Sequence, residues 1–304
     1  MSNINLINQL TLLFISLRPK QWIKNIFVFA ALVFAQELTN APLLLRAIGA
    51  FVAFSFTASA IYLINDIVDR KEDLHHPQKK DRPLASGKLS VSVVIVSIIA
   101  LLGISFCISA AWYNVQFIGV LLVYLLLNLS YSLGLKHVVI VDFIIVASGF
   151  VLRAMAGALA IDVSISPWLL AATFFLALFL VLGKRRHEMM TLGDDKGNHR
   201  KVLSEYSQTI LDAFLSMVTT SAVVMYVLYT LSPLTIEHFG TENLIYTVLF
   251  VVYGVFRAFF LIYEKNQGGA PTEMVLTDRP LQINLLLWVI SVVGIIYSDQ
   301  LFRF

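Results

Sequence analysis

Nine long apolar runs constrain the fold of this 304-residue chain more than any other feature. Hydrophobic residues make up 58% of the chain, charged residues only 13%, and the mean hydropathy is +0.81, values that exclude an ordinary soluble domain. A helix of about 20 apolar residues crosses the hydrocarbon core of a bilayer. We therefore predict an all-α membrane protein with nine transmembrane helices, near 22–38, 42–66, 90–111, 115–133, 138–161, 167–183, 209–231, 243–263 and 282–302.

The distribution of Lys and Arg predicts the orientation of these spans, because cytoplasmic loops carry an excess of both. With a cytoplasmic N-terminus, eighteen of the 22 basic residues lie on the cytoplasmic side. The net charge of +3 reflects this asymmetry, so we expect no nucleic-acid partner. We predict a multi-pass protein of the plasma (bacterial inner) membrane, with its polar chemistry facing the cytoplasm.

The chain is predicted to form one membrane domain, 1–304, with an interfacial N-terminal segment at 1–17. Two long cytoplasmic loops, 70–89 and 184–208, follow the second and sixth spans. Their spacing suggests two related halves, each delivering a polar loop to a shared central cavity that opens to the cytoplasm.

Asn65, Asp66, Asp69 and Asp73 lie at helical spacing where the second apolar run ends. At 100° per residue these side chains share one polar stripe. Acids at the mouth of a membrane helix are costly and require a partner. A divalent metal that also binds a phosphate is one such partner; an ordinary amphipathic helix end is the alternative.

The loop that follows carries basic residues between two prolines, among them Lys79 and Arg82. Arg binds phosphate through two hydrogen bonds and Lys acts as a point charge. Their position beside the acidic stripe favours phosphate binding, whereas the positive-inside pattern alone explains Lys80 and Lys88. His75 and His76 are better interpreted as solvated loop residues than as metal ligands.

Polar residues inside other spans offer further candidates, each with an open alternative. Lys24 either faces a cavity or extends to the interface. Arg153 either serves a site or forms a structural ion pair. Of the consecutive cations Lys184, Arg185 and Arg186, only one or two can face a pocket.

Cys107 is expected to be inert. Asp194 and Asp195 are expected to be solvated. Glu273, Asp278 and Arg279 either close over the cytoplasmic mouth or belong to a plain connecting loop. No Walker, GxGxxG, HExxH or GxSxG motif occurs.

The run Asn65-Asp66-Ile67-Val68-Asp69-Arg70-Lys71-Glu72-Asp73 resembles the Asn-Asp-x-x-Asp-x-x-x-Asp motif of the UbiA superfamily of intramembrane prenyl-group transferases. Lys79 to Pro83 is similar to the basic loop of that family, and Tyr131 to Lys136 to its Tyr…Lys step. The resemblance implies a bundle of nine helices around a central cavity and a magnesium cofactor.

One departure from the family pattern is informative. Typical members carry a second acidic motif after the sixth helix, where this chain has Gly183-Lys184-Arg185-Arg186-His187-Glu188. That replacement, together with Arg18-Pro19 to Asn25, Leu135 to His137 with Asp142, Gly149 to Gly157, and Thr272-Glu273 to Asp278-Arg279, resembles the decaprenyl-phosphate phosphoribosyltransferase branch of the family.

The resemblance implies magnesium-dependent transfer of 5-phosphoribosyl from phosphoribosyl pyrophosphate to a polyprenyl phosphate lipid, with release of pyrophosphate. Asp66, Asp69 and Asp73 are the expected metal ligands and catalytic residues. The expected substrate-binding residues are Lys24, Asn65, Lys79, Arg82, Tyr131, Lys136, Asp142, Arg153, Lys184 and Arg185. Asp142 would hold either a ribose hydroxyl or a neighbouring cation, and a homo-oligomer is left open. The alternatives are transfer from a prenyl diphosphate to an aromatic or related acceptor and, more distantly, a transporter or flippase.

Overall fold

The computed structural model describes residues 6–75, 79–192, 201–265, 267–269 and 271–298, and within these ranges the regular structure is entirely helical. The α-helices are α1 (Leu6–Ser16), α2 (Ala30–Phe34), α3 (Ala41–Val68), α4 (Arg70–His75), α5 (Val91–Trp112), α6 (Val115–Leu133), α7 (Val141–Ala160), α8 (Pro167–Leu192), α9 (Lys201–Ser204), α10 (Gln208–Leu231), α11 (Pro233–Phe239), α12 (Val248–Tyr263), α13 (Pro271–Thr277) and α14 (Arg279–Ile296). In the same described ranges, 3₁₀ helices cover Pro19–Phe29, Leu135–His137 and Asn243–Thr247.

Eight helices in the described residues are long and apolar enough to cross a membrane, which confirms the prediction of an all-α, multi-pass membrane protein. The remaining predicted run, 22–38, instead forms the 3₁₀ helix Pro19–Phe29 and the short α2. A 3₁₀ helix rises about 2.0 Å per residue, so a short one covers more distance than an α-helix of equal length. The predicted count of nine therefore differs from the observed count at its first member.

Helix α8 ends later than the sixth apolar run predicts. The run ends at Gly183, but the helix continues to Leu192. Residues 184–192 contain Lys, Arg, Glu and Met, which are good helix formers although most of them are polar. Hydropathy detects the part of a helix that suits lipid and misses a polar extension, so 184–192 is helix rather than loop.

The chain divides into two compact units. The first comprises 1–32, 37–136 and 152–164, and the second comprises 33–36, 137–151 and 165–304. The expectation of a single functional domain remains a prediction, as does the interfacial position of 1–17, where α1 forms.

In the first unit, α3 packs closely with α5, α6 and the 3₁₀ helix Pro19–Phe29. Its buried surface is rich in Ala, Ser, Thr and Gly, which let neighbouring helices approach closely. Thr57 and Ser105 hydroxyls pair across the α3–α5 contact at 2.9 Å. This packing fixes the end of α3, which carries the acidic stripe.

In the second unit, α8 packs mainly against α10. Their shared core contains Phe143, Phe179, Leu182, Leu211 and Leu215, all buried. The same core anchors the polar end of α8, where the cations Lys184, Arg185 and Arg186 follow the last apolar turn.

Candidate active site

The acidic stripe lies where α3 ends and α4 begins. Asp69 is the C-cap residue that directly follows α3. Its N–H donates to Asn65 O at 2.8 Å, and the Asp73 N–H donates to Asp69 O at 2.8 Å. The helical path thus continues almost unbroken through the motif. Asp66 and Asp73 are buried and Asp69 is partly exposed, so the predicted alignment of the acids is largely observed.

Cations contact each of the three carboxylates. Arg18 Nη2 lies 2.5 Å from Asp66 Oδ1, and Arg82 Nη1 lies 2.6 Å from Asp73 Oδ2. Lys136 Nζ lies 2.5 Å from Asp69 Oδ1. We call these three acids, with Arg18, Lys79, Arg82 and Lys136, the acid–base cluster. Lys79 is its loosest member, 4.0 Å from Asp73 Oδ1.

Two of the carboxylates converge on a single point. Arg82 Nη1 lies 2.6 Å from Asp73 Oδ2 and also 3.3 Å from Asp66 Oδ1. In the described part of the chain, no three His, Cys, Asp or Glu side chains are grouped so that they could hold a metal ion. The structure therefore brings together Asp66 and Asp73 and places Asp69 with Lys136. Two carboxylates fit magnesium, which proteins commonly hold through one or two carboxylates plus substrate phosphates.

The loop after α4 holds Arg82 in place through backbone contacts. The Ser86 N–H donates to Arg82 O at 2.9 Å, and the Leu89 N–H donates to Pro83 O at 2.9 Å. Leu84 and Leu89 are buried in the hydrophobic core of the first unit. The loop is thus anchored by its own apolar residues, which leaves the Arg82 guanidinium directed at the acids.

Arg18 belongs to this cluster, although the spacing of the sequence did not indicate it. Its backbone has φ 53° and ψ 57°, in the left-handed region that a residue with a side chain seldom adopts. Its guanidinium lies over the Tyr62 ring, 4.9 Å from the centroid. The local motif Arg18-Pro19 contributed only to the family resemblance, because nothing in it indicates a partner 48 residues away.

Three other predicted site residues lie in the same unit. The Ser132 hydroxyl contacts Asn65 Oδ1, which ties α6 to the start of the stripe. Tyr131 precedes Ser132 in the last turn of α6, and Lys24 lies half-buried in the 3₁₀ helix Pro19–Phe29. Their roles in substrate binding remain predictions.

Arg153 takes part in a buried polar network. Its Nε donates to Asn25 Oδ1 at 2.6 Å, and its Nη2 donates to Tyr124 Oη at 2.7 Å. Asn25 in turn donates to Ser55 Oγ at 2.9 Å. The network links α7 to α3, α6 and the 3₁₀ helix Pro19–Phe29. Tyr124 was not identified from the sequence, because a tyrosine in an apolar helix is usually a packing residue.

In the second unit, Asp142 and Arg185 form a buried ion pair, 2.9 Å from Oδ2 to Nε. Arg185 Nη1 also contacts Glu188 Oε2 at 2.8 Å. Tyr206 completes the group, because its hydroxyl donates to Asp142 Oδ1 at 3.1 Å. Of the two roles predicted for Asp142, this geometry favours the holding of a neighbouring cation.

The Tyr206 hydroxyl also accepts a hydrogen bond of 2.6 Å from the N–H of Ile140, whose φ is 72°. A positive φ is a genuine outlier for a β-branched residue. Burial raises the pKa of Tyr206 to about 12, so the hydroxyl stays protonated and donates to Asp142 at neutral pH. Residue spacing did not indicate Tyr206, because it lies 64 residues from Asp142.

The three consecutive cations of α8 have different surroundings. Arg186 Nε pairs with Asp212 at 2.7 Å, and its guanidinium stacks over Tyr263 at 3.9 Å. The Lys184 side chain is 48% exposed and lies 3.8 Å from Glu188. Lys184 is therefore the most accessible of the three.

Several predicted features lie outside the described residues. These are His76, Pro77 and Gln78 of the basic loop, the pair Asp194 and Asp195, and the side chain of Glu273.

Comparison with known proteins provides independent evidence. Residues 25–286 match the UbiA prenyltransferase family. The chain is 35% identical over 291 residues to the decaprenyl-phosphate phosphoribosyltransferase of Corynebacterium glutamicum, covering 94% of this chain and 87% of that protein. It is 33% identical over 292 residues to the enzyme of the same name from Mycolicibacterium smegmatis, covering 93% and 91%.

Solved structures agree on the fold. A UbiA homolog from Archaeoglobus fulgidus, bound to DMAPP and Mg²⁺, superposes with a TM-score of 0.70 at 22% identity, covering 92% of this chain and 97% of that one. The family match and the curated relatives confirm the resemblance predicted from the Asn65–Asp73 motif, and the solved structures confirm the fold. The chain belongs to the UbiA prenyltransferase family.

Proposed function

We propose that this protein transfers 5-phosphoribosyl from phosphoribosyl pyrophosphate to a polyprenyl phosphate lipid, releasing pyrophosphate. The observation that carries the proposal is the convergence of Asp66 and Asp73 on one point among four cationic side chains. The names of the curated relatives support the same reaction.

Asp66 and Asp73 are the residues that would hold magnesium, with the donor diphosphate supplying further oxygens. The bound metal would neutralise charge on the departing diphosphate. Asp69 keeps Lys136 at the edge of the cluster, and we assign Lys136 to a phosphate oxygen of the donor.

The cations of the acid–base cluster would bind the remaining phosphate oxygens. Arg18 and Arg82 present planar guanidinium groups, which suit phosphate geometry. Lys79 and Lys136 add point charges beside them. In the second unit, Lys184 is assigned a phosphate contact, while the ion pair of Arg185 with Asp142 favours a positioning role for both. Asn65 is assigned to substrate contact.

The reaction needs little proton transfer. A phosphate oxygen of the lipid, already an anion, attacks C1 of the ribose. The new C1–O bond forms as the bond from C1 to the diphosphate oxygen breaks, and that oxygen carries the electron pair away with pyrophosphate. Positioning and electrostatic stabilisation of the positively charged C1 would supply most of the rate enhancement.

We place this chemistry at the cytoplasmic side of the plasma membrane, with the N-terminus in the cytoplasm. The excess of Lys and Arg beyond the ends of the apolar runs, near Arg82, Lys136 and Lys184, supports this orientation. The proposed donor is soluble in water and would reach the site from the cytoplasm, whereas the polyprenyl lipid would reach it from the bilayer.

Transfer of a prenyl group from its diphosphate to an aromatic or related acceptor is the second candidate. The fold neighbour bound to DMAPP and Mg²⁺ favours it, because a carboxylate pair can serve either diphosphate. The cations at the end of α8 argue against it, since typical family members carry acids there.

A transfer assay separates the two candidates. Purified protein is incubated with magnesium, labelled phosphoribosyl pyrophosphate and polyprenyl phosphate, and the lipid fraction is counted. The proposal expects a labelled lipid that EDTA abolishes. Absence of that lipid, together with turnover of a prenyl diphosphate and hydroxybenzoate, would replace the proposal with the second candidate.

A further inference from the structure

The carboxylate oxygens best placed to ligate a metal are the same oxygens that contact arginine. Asp66 Oδ1 is 2.5 Å from Arg18 Nη2 and 3.3 Å from Arg82 Nη1, and Asp73 Oδ2 is 2.6 Å from Arg82 Nη1. A dication at the point of convergence would occupy the position of the Arg82 nitrogen. Arg82 and the dication therefore compete for one place.

Charge makes that competition stronger. The acid–base cluster combines four cationic side chains with three carboxylates, which leaves a surplus of one positive charge. A dication alone would raise the surplus to three within a partly buried region, where like charges repel strongly. A diphosphate carries several negative charges and would offset that surplus.

We propose that Arg18 and Arg82 are exchangeable counter-ions, which release Asp66 and Asp73 to the dication and turn to the diphosphate when both arrive. The inference rests on the proposed function and adds that the dication and the diphosphate bind cooperatively. The dication and the diphosphate bind weakly alone and tightly together, because each removes the obstacle that the other meets.

The surroundings of Arg18 and Arg82 allow their side chains to move while their backbones stay in place. Their side chains are 28% and 27% exposed, so each can move without opening the hydrophobic core. Their backbones are fixed, since the Gln21 N–H donates to Arg18 O at 2.8 Å and the Ser86 N–H donates to Arg82 O at 2.9 Å. The Tyr62 ring, 4.9 Å from the Arg18 guanidinium, offers a cation–π surface along which that group can shift.

Titration calorimetry on the full-length purified protein tests the inference with Mn²⁺ and inorganic pyrophosphate as probes. Each probe is titrated alone and then in the presence of the other. We expect saturating pyrophosphate to tighten Mn²⁺ binding by about tenfold or more, and Mn²⁺ to tighten pyrophosphate binding by the same factor, since coupling between two ligands is reciprocal. A factor near one in both directions would overturn the inference.

Arg18→Gln provides the second arm, and Arg82→Gln repeats it in case Arg18→Gln does not fold. Removal of a competing cation should tighten the binding of Mn²⁺ alone by severalfold and reduce its coupling to pyrophosphate. Arg46→Gln is the matched control, because Arg46 pairs with Asp162, a carboxylate outside the cluster, at 3.0 Å, and it should change neither quantity. Weaker binding of Mn²⁺ alone in the Arg18 and Arg82 variants would contradict the exchange.

The same data separate this inference from the proposed function. Independent binding of Mn²⁺ and pyrophosphate would refute the exchange and leave phosphoribosyl transfer intact. A coupled pair of probes in a protein that makes no phosphoribosyl lipid would support the exchange and refute the proposed donor. Failure of both probes to bind in any combination would contradict both.

Discussion

Arg185 Nε donates a hydrogen bond of 2.9 Å to the buried carboxylate of Asp142, on the neighbouring helix α7. Because both side chains are buried and paired with each other, we interpret them as stabilising the fold rather than as binding a phosphate. The side chain of Lys184, the preceding residue of the same helix, is 48% exposed. Adjacent cations in one sequence motif therefore have different expected effects when they are removed.

Asp142→Asn should destabilise the protein, because the buried Arg185 would lose the carboxylate that contacts its Nε at 2.9 Å and keep the contact with Glu188. Complete loss of the partner of a buried charge costs about 3–5 kcal/mol, and the Glu188 contact lowers that cost here. Thermal unfolding in detergent should show a clearly lowered Tm. Lys184→Gln is the matched comparison: its Tm should stay near that of the wild type, while the KM for the sugar diphosphate rises. Equal Tm values for the two variants would contradict the assignment.

Asp66→Asn and Asp73→Asn should each abolish turnover while the protein remains folded. Both carboxylates contact Arg82 Nη1, and we propose that the metal binds at that position. An amide ligates a hard cation less well than a carboxylate does. Asp69→Asn should retain more activity than either, because its carboxylate faces Lys136. Asp162→Asn, at the ion pair with Arg46, is the control for loss of a charge. Activity of Asp66→Asn close to that of the wild type would contradict the metal site.

Gly157→Ala should reduce stability sharply, because a Cβ at this position would lie 2.0 Å from the backbone O of Val28. Backbone cannot yield as a flexible side chain does, and overpacking typically costs about 1–3 kcal/mol. Gly103→Ala is the control, since its Cβ would meet nothing within 4 Å. Comparison of the two Tm values measures the close contact of α7 with the 3₁₀ helix Pro19–Phe29. A Gly157→Ala variant as stable as Gly103→Ala would contradict the described packing.

Asp278 should make the stability of the protein sensitive to acid. Hydrogen bonds from Arg257, over 2.8 and 3.2 Å, lower the pKa of Asp278 from its usual 3.8, and the Leu281 N–H adds a further contact. A lowered folded-state pKa gives stabilisation that is fully present above the unfolded pKa and is lost as the pH falls through the folded pKa. The Tm difference between wild type and Asp278→Asn should therefore be constant from about pH 5 to 8 and shrink below about pH 4.

Asp278→Asn keeps a side-chain oxygen that can accept from the Leu281 N–H, so the comparison isolates the charge. A Tm difference that grows as the pH falls below 4 would reverse the sign expected from the lowered pKa. Asp81→Asn, in the basic loop, serves as the control for a general effect of losing one carboxylate.

The sequence predicted those features that depend on local periodicity. The apolar runs located the eight candidate spans of the described residues, most of them within a few residues, and the helical spacing of Asp66, Asp69 and Asp73 aligned the acids. Hydropathy failed at α8, where Lys184 to Leu192 remain helical beyond the lipid-like run, and at Pro19–Phe29, where a 3₁₀ helix forms.

The spacing of residues in the sequence could not predict which side chains from different helices contact each other. The separation is 48 residues between Arg18 and Asp66, 67 between Lys136 and Asp69, and 64 between Tyr206 and Asp142. Periodicity reports which face of its own helix a residue shares, and it carries no information on a side chain from another element. The family resemblance supplied the motif residues, whereas the structure supplied the partners that explain why Arg185 is buried.

The bond that breaks in the donor is the most direct test of the proposed reaction. Phosphoribosyl pyrophosphate is prepared in two forms, one labelled in the 5-phosphate and one in the terminal phosphate of the diphosphate, and each is incubated with the protein, magnesium and polyprenyl phosphate. We predict that the 5-phosphate label enters the lipid and the terminal label is released as pyrophosphate in equal amount. Terminal label in the lipid, or no label there from either form, would contradict phosphoribosyl transfer.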